Sequence, residues 1–138
     1  MHEVFLKYPT INTLNVTGKT VFLRVDFNVS VDDAGNVRDD ARITAAIPTI
    51  KALRGKGARL VLASHLGRPK GTVNKKYSLL PVAKRLAELL NIEVFLTEDC
   101  VGMEVKKIIG EMRDNIVLLE NLRFHKEEED NDEAFSKK

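Results

Sequence analysis

The feature that most constrains the fold is an alternation of strand-sized apolar runs with longer segments of helical period. Strands are predicted at residues 20–25, 59–63, 93–96 and 116–119, where β-branched and other apolar residues cluster. Helix-sized segments separate these runs, and this order favours right-handed crossovers between parallel strands. We therefore predict an α/β fold: a three-layer, Rossmann-like domain with a mostly parallel sheet and helices on both faces.

The helices between the strands can be placed more closely. Asp39 or Asp40 is expected to cap a short helix that ends at Ala46. Pro48 lacks a backbone N–H, so we expect a break there and a second helix that starts at Pro48 and ends near residues 55–57. Ser78 is expected to cap a helix that continues to about Asn91. A weaker helix is predicted over residues 105–112.

Length and composition indicate one ordinary globular domain. The chain has 138 residues, 43% of them hydrophobic and 30% charged, with a net charge of +2. These values exclude a disordered or collagen-like chain, and no apolar run reaches the roughly 18 residues of a membrane helix. Cys100 is the single cysteine, so we expect no internal disulfide and no cysteine-based zinc site. We predict a reducing compartment, the cytoplasm, and neither a membrane nor a nucleic-acid partner.

Polar side chains follow three of the predicted strands, at the edge where parallel α/β sheets bind ligands. Residues 26–28 (DFN) follow the first strand, residues 64–68 (SHLGR) the second, and residues 120–123 (ENLR) the last. Arg42 lies at the start of the helix after the first strand's loop. Guanidinium groups bind phosphate and carboxylate oxygens as planar forks, so this mixture suits a small anionic ligand. Spacing alone leaves an enzyme and a simple binder as open alternatives.

Some of these residues also have plain structural interpretations. A single histidine after a strand is more often structural than catalytic, and Asp26 could cap a turn. The acidic run at residues 127–130 is expected to be a solvated face or a helix start. Gly67 and Gly71 would allow close backbone approach. The convergence of several strand ends is what favours a ligand site.

Four longer segments carry a more specific signal: VFLRVDFNV (21–29), DDARITAAIPTI (39–50), GARLVLASHLGRPKG (57–71) and VLLENLRFH (117–125). Together they closely resemble the N-terminal part of phosphoglycerate kinase. The resemblance runs from about Gly18 to the end of the chain. It implies a two-domain enzyme that reversibly transfers a phosphoryl group between ATP and 3-phosphoglycerate, giving ADP and 1,3-bisphosphoglycerate in glycolysis.

The resemblance also implies residue roles. Arg42 matches the arginine that the family uses at the transferring phosphoryl group, so it is the expected catalytic residue. The expected substrate-binding residues are Asp26, Phe27, Asn28, Arg42, His65, Leu66, Gly67, Arg68 and Arg123. Mg-ATP or Mg-ADP would be the co-substrate of the whole enzyme, and we expect this chain alone to bind no nucleotide and no metal.

The sequence departs from the family pattern in two ways. Ser30 stands where many members carry proline. The chain also ends at Lys138, just as a new helix begins after Asp132, and shows no nucleotide-binding motif. We therefore expect residues 1–138 to form a partial N-terminal domain, incomplete at its C-terminal end, that does not turn over alone.

The whole enzyme is expected to be monomeric and the fragment to be prone to self-association. The alternative is a non-catalytic anion-binding or interaction module on the same scaffold.

Overall fold

One sheet of four parallel strands organises the molecule. The structure is a computed structural model that describes residues 8–138. The strands are β1 (Thr20–Arg24), β2 (Arg59–Ala63), β3 (Val94–Leu96) and β4 (Ile116–Leu118). Their spatial order is β1-β2-β4-β3, and each neighbouring pair is parallel. The predicted α/β fold with a parallel sheet is confirmed. Residues 1–7 of the predicted domain lie outside the described part.

Helices cover both faces of the sheet. They are α1 (Ala41–Gly55), α2 (Leu80–Leu90), α3 (Met103–Glu111), α4 (Lys126–Glu129) and α5 (Glu133–Ser136), with 3-10 turns at Lys75–Tyr77 and Leu122–Phe124. Alternate residues of each strand point to opposite faces. Leu60 and Leu62 therefore join one apolar cluster with α1 and α2, while Val61 joins a second cluster with α3 and Phe135 of α5. The result is a three-layer domain.

Pro48 does not break the first helix, contrary to the expectation from sequence. α1 runs from Ala41 to Gly55 as one helix with Pro48 inside it. A proline in a helix interior costs about 3 kcal/mol, because it removes a hydrogen bond and crowds the preceding turn. Ile43 before the proline and Ile50 and Leu53 after it are all buried in the core. Burial of several aliphatic side chains outweighs that cost, since each contributes roughly 1.5–3 kcal/mol.

Ser78 does not cap α2 as expected, but lies one position before the cap residue. The helix begins at Leu80, and Leu79 rather than Ser78 occupies the cap position. The Ser78 hydroxyl still accepts a hydrogen bond from the Leu80 N–H at 3.2 Å. At the other end, Asn91 adopts the left-handed conformation that commonly ends helices, with φ of 52°.

The outer side of β1 is an edge of the sheet among the described residues. Phe22 on this strand keeps 62% of its surface exposed, and Phe95 on the other edge strand keeps 42%. Phe22 and Phe95 lie in register with Val61 and Val117, so all four share one face of the sheet. In residues 8–138, no helix has the length and apolar character needed to cross a lipid bilayer.

Candidate functional site

The strand order brings three polar segments to one edge of the sheet. β2 pairs with β1 on one side, where Ala63 lies opposite Arg24, and with β4 on the other, where Leu62 lies opposite Leu118. The carboxyl ends of these three strands are therefore neighbours. Residues 26–28, 64–68 and 120–123 leave the sheet side by side. This edge is where open parallel sheets bind ligands.

Arg42, at the start of α1, is bound to the segment after β1. Its Nη1 donates a hydrogen bond to the carbonyl oxygen of Asn28 at 2.8 Å and lies 3.2 Å from Oδ1 of Asp26. The same Asp26 oxygen accepts from the Asn28 N–H at 3.1 Å. About half of the Arg42 side chain remains exposed. Its guanidinium is thus oriented from one side while its other N–H groups stay open for an anion.

Two further hydrogen bonds join the segment after β1 to the segment after β2. The buried Phe27 N–H donates to the hydroxyl of Ser64 at 2.9 Å. The side-chain oxygen of Asn28 accepts from the Gly67 N–H at 2.9 Å. Asn28 therefore uses its side-chain acceptor to hold the neighbouring loop, which leaves its amide N–H₂ as the polar group available to a ligand.

The glycines of the second loop serve packing within the protein. Gly67 has a φ of +61°, and a Cβ there would lie 2.5 Å from the ring of Tyr77. Gly71 has a φ of +72°, and a Cβ there would lie 2.8 Å from Cβ of Lys126. The close approach that the sequence predicted at these positions is therefore to protein neighbours.

Two buried residues after β4 position the surrounding loops. The Glu120 carboxylate accepts from the Ser78 hydroxyl at 2.7 Å and from the Leu79 N–H at 2.8 Å. The Asn121 side-chain N–H₂ donates to the carbonyls of Leu66 and Tyr77, both at 2.8 Å. Sequence reasoning noted both residues only as polar positions after a strand. Nothing in their spacing reveals that they are buried and bonded to loops more than 40 residues away in the chain.

A cluster of two arginines and two carboxylates adjoins this edge, with Glu129 Oε1 lying 3.5 Å from Nη1 of Arg123. Glu128 Oε1 lies 2.6 Å from Nη1 of Arg24, and Glu128 Oε2 lies 3.5 Å from Nε of Arg123. Arg123 Nε is buried and makes no hydrogen bond. The Glu128 side chain is only 12% exposed, so it does not belong to a solvated face. The alternative expectation, a helix start, is confirmed, because Glu127, Glu128 and Glu129 lie in the first turn of α4. Glu128 turns inward because two cations compensate its desolvation.

His65 lies within the field of this cluster. Partial burial, then the positive charges of Arg123 and Arg24, lower the pKa of His65 below its usual value of 6.5. The carboxylates of Glu128 and Asp26 oppose this shift without cancelling it. His65 is therefore neutral at pH 7. An anion placed beside it would favour the protonated ring.

The predicted site residues differ in how firmly the fold holds them. Asp26, Phe27, Asn28, Arg42 and Gly67 belong to one hydrogen-bonded set. The Asn121 side chain connects the buried Leu66 to Arg123, whose N–H donates to its oxygen at 3.0 Å. Arg68 follows Gly67 and is exposed. Its guanidinium makes no hydrogen bond or ion pair to the part of the chain that the structure describes.

Two open clefts flank this edge. One, of about 390 Å³, is lined by Arg24, Asp26 and Arg42. The other, of about 530 Å³, is lined by Asn28, Gly67 and the basic residues Lys75 and Lys76. Both are large enough for a small organic phosphate, and both place cationic side chains at their walls.

A group of potential metal ligands lies at the carboxyl ends of β3 and β4, on the side of the sheet away from β1. It contains Asp99, Cys100 and His125. Burial, with the Asp99 carboxylate beside it, raises the pKa of the Cys100 thiol to about 12, so the free thiol is neutral. Burial also acts to raise the pKa of Asp99. The hydrogen bonds from the His125 ring and the Cys100 N–H outweigh it, and the pKa is lowered.

Fold and edge together define a class: an open parallel α/β domain with arginines gathered at the carboxyl ends of its strands, where such sheets bind ligands. Comparison with known proteins is more specific. The phosphoglycerate kinase family matches residues 11–138, and the chain belongs to that family.

Individual relatives agree with this assignment. The chain is 55% identical over 131 residues to phosphoglycerate kinase of Anaeromyxobacter sp. (strain K), covering 93% of this chain and 33% of that protein. It is 54% identical over 130 residues to the cytosolic phosphoglycerate kinase of Triticum aestivum, covering 94% of this chain and 32% of that protein. The chain thus spans about a third of the length of the curated relatives it matches.

Solved structures show the same fold. Phosphoglycerate kinase from Pyrococcus horikoshii OT3 superposes with a TM-score of 0.76 at 39% identity, covering 85% of this chain and 28% of that one. The enzyme from Coxiella burnetii gives a TM-score of 0.69 at 36% identity, covering 83% and 28%.

Proposed function

We propose that this chain forms the 3-phosphoglycerate-binding part of a phosphoglycerate kinase. The whole enzyme would transfer a phosphoryl group reversibly between ATP and 3-phosphoglycerate, giving ADP and 1,3-bisphosphoglycerate. Membership of the family supports the reaction. The observation that carries the site is the Arg42–Asn28–Gly67 connection, in which Arg42 donates to the Asn28 carbonyl and the Asn28 side chain accepts from the Gly67 N–H.

The proposed roles follow from charge and exposure. Arg68 and Arg123 would neutralise the substrate's phosphate and carboxylate, with His65 as a further donor. Asp26 and Asn28 would bind its hydroxyl group. Arg42 would stabilise negative charge on the transferring phosphoryl group, because phosphoryl transfer depends on positioning and on charge stabilisation. The half-exposed guanidinium of Arg42 supports this role, since its free N–H groups face solvent.

The nucleotide would be held by a part of the enzyme outside these residues. Mg²⁺ binds carboxylate, phosphate and water oxygens, whereas arginines dominate this edge of the sheet. Its carboxylates at Asp26 and Glu128 are already paired with Arg42 and Arg24. We therefore assign magnesium to the nucleotide as Mg-ATP or Mg-ADP. The isolated chain is expected not to turn over, because catalysis requires both reactants to be held in contact.

The expected setting is the cytoplasm, without nucleic-acid partners. The naming of the wheat relative as cytosolic supports the compartment.

Self-association is expected for the isolated chain, because β1 is an edge strand and Phe22 is largely exposed. Light scattering should detect it, and Phe22→Ser should reduce it; a monomer at high concentration would contradict this expectation. A flat salt dependence on a nucleic-acid column would agree with the absence of such partners.

Calorimetric titration with 3-phosphoglycerate tests the proposal. Arg42→Ala and Arg68→Ala should each weaken binding by about tenfold, the loss expected for one charge-assisted contact of roughly 1.4 kcal/mol. Arg113→Ala is the matched control, because Arg113 is exposed and lies just before β4, at the amino ends of the strands. Equal affinities in all variants would overturn the site.

A competition experiment separates the proposal from a generic anion-binding module. Inorganic phosphate should displace 3-phosphoglycerate only at much higher concentration, because it lacks the carboxylate and the hydroxyl. Equal affinity for both ligands would favour the non-catalytic module. A coupled kinase assay on the isolated chain should show no turnover.

A further inference from the structure

Asp99, Cys100 and His125 form a compact group of three different metal-ligating side chains. One ligand atom of each lies within 4.8 Å of the other two. The Nε2 of His125 is 2.6 Å from Oδ1 of Asp99. The three residues come from two separate segments, the loop after β3 and the turn that follows β4. The fold, rather than adjacency in the chain, brings the imidazole to the thiol and the carboxylate.

The donor set matches one class of ion. Thiolate, imidazole and carboxylate are together the protein ligands of Zn²⁺, with metal–ligand distances of about 2.0–2.3 Å. A tetrahedral ion would hold the sulfur and the ring nitrogen roughly 3.6 Å apart. The three ligand atoms lie within 4.8 Å of one another, so binding would require shifts of about 1 Å. Mg²⁺ and Ca²⁺ do not fit, because they prefer oxygen ligands.

Contacts around the group already orient the ligands. The Cys100 N–H donates to Oδ1 of Asp99 at 2.6 Å, and the Thr97 hydroxyl donates to the Asp99 carbonyl at 2.5 Å. The ring of Phe135 packs against the ring of His125 with centroids 5.2 Å apart. Such neighbours fix the direction of ligands in metal sites.

The group combines a buried wall with an open side. Cys100 is 6% exposed, within the apolar cluster that contains Leu119 and Leu122. The side chains of Asp99 and His125 are 51% and 28% exposed, which provides an entry path for an ion. A tetrahedral ion with three protein ligands keeps its fourth position for water on this side.

We propose that Asp99, Cys100 and His125 form a binding site for Zn²⁺ or a similar transition-metal ion, separate from the proposed 3-phosphoglycerate site. The ion would replace the proton of the Cys100 thiol, and that proton passes to the solvent. It would also link the loop after β3 to the segment that carries α4 and α5. This proposal departs from the expectations of no cysteine-based zinc site and no bound metal, because the fold adds a histidine and an aspartate to the single cysteine.

Cobalt titration of the reduced, full 138-residue chain tests this site. Co²⁺ substitutes for Zn²⁺, and a sulfur-to-cobalt absorption band has only one possible source, because Cys100 is the single cysteine. We expect this band to appear with one equivalent bound and to vanish when Zn²⁺ is added. Cys100→Ser should abolish it. His125→Gln and Asp99→Asn should weaken cobalt binding more than about tenfold, since even residues that only orient ligands contribute that much.

Matched controls keep the result specific. His65→Gln and His2→Gln remove the other two histidines of the chain and should leave the band unchanged. Circular dichroism verifies folding of each variant, and Asp99→Asn, at a half-exposed position, keeps the test available if His125→Gln unfolds. The absence of a sulfur–cobalt band at saturation, or equal cobalt affinity in Asp99→Asn and the parent, would overturn the proposal.

Discussion

Glu128 Oε2 lies 3.5 Å from Nε of Arg123, a buried atom that makes no hydrogen bond. The carboxylate compensates the charge of Arg123 but accepts no hydrogen bond from its Nε. Its other oxygen lies 2.6 Å from Nη1 of Arg24. An anion bound at the proposed site would therefore compete with Glu128 for the same cations.

Removing this competing charge should strengthen anion binding. We expect Glu128→Gln to increase the affinity for 3-phosphoglycerate by about three- to tenfold, because Arg123 and Arg24 lose a competing partner. The free energy of unfolding should fall by about 1 kcal/mol as the ion pair with Arg24 is lost. Calorimetry and urea unfolding measure the two effects. Glu127→Gln is the control, since Glu127 is exposed; equal changes in both variants would contradict the competition.

Gly67 is expected to be intolerant of any side chain. Gly67→Ala should lower the free energy of unfolding by about 2–4 kcal/mol, because it adds a clash with Tyr77 to the strain of a positive φ. Gly35→Ala isolates the strain, because Gly35 has a φ of +81° with no atom within 4 Å of an added Cβ. It should cost only about 1 kcal/mol. Equal losses in urea unfolding would refute the packing role of Gly67.

Asn121 should be a stability residue that also positions the site. Its side chain is 1% exposed and donates to two loop carbonyls. Asn121→Ala would leave the Leu66 and Tyr77 carbonyls without this donor, which should cost about 3 kcal/mol. Asn36→Ala, at an exposed turn position, should change stability by less than about 0.5 kcal/mol. Thermal unfolding of the two variants checks this contrast.

The lowered pKa of His65 predicts two pH effects. The unfolded chain binds a proton at this residue below pH 6.5, whereas the folded chain binds it only at lower pH. Stability should therefore fall as the pH decreases from 6.5 toward the folded pKa, and His65→Gln should remove this contribution. Binding of 3-phosphoglycerate should take up a proton in the same range, because an anion favours the charged ring.

Calorimetry in two buffers of different ionisation enthalpy measures that uptake. His65→Gln should abolish it, while His125→Gln should retain it. Proton uptake that is unchanged in His65→Gln would exclude contact between this histidine and the ligand.

The strands were predictable because period, apolar composition and flanking turn residues agree at each one. β2 is buried along most of its length, and its predicted bounds, 59–63, match the structure. The predicted helix break at Pro48 was wrong. Local backbone chemistry favours a break there, whereas burial of Ile43 and Ile50 by the rest of the fold favours one helix. A local rule fails where long-range packing supplies more free energy.

The site was predictable only in part, for a related reason. Arg42, Asp26 and Asn28 could be grouped because strand ends in a parallel sheet share an edge. Glu128 and Asn121 could not, since their importance depends on burial and on partners distant in sequence. An acidic run gives no indication that one of its members turns inward.

We propose that segments distant in sequence form one site for a small phosphorylated acid. Titration of the isotope-labelled chain with 3-phosphoglycerate, followed by amide chemical shifts in NMR, tests it most directly. We predict that the largest shifts occur together, with one binding constant, at residues 26–28, 42, 64–68 and 123. Shifts confined to residues 113–115, at the amino ends of the strands, or no saturable shifts at all, would contradict a shared site.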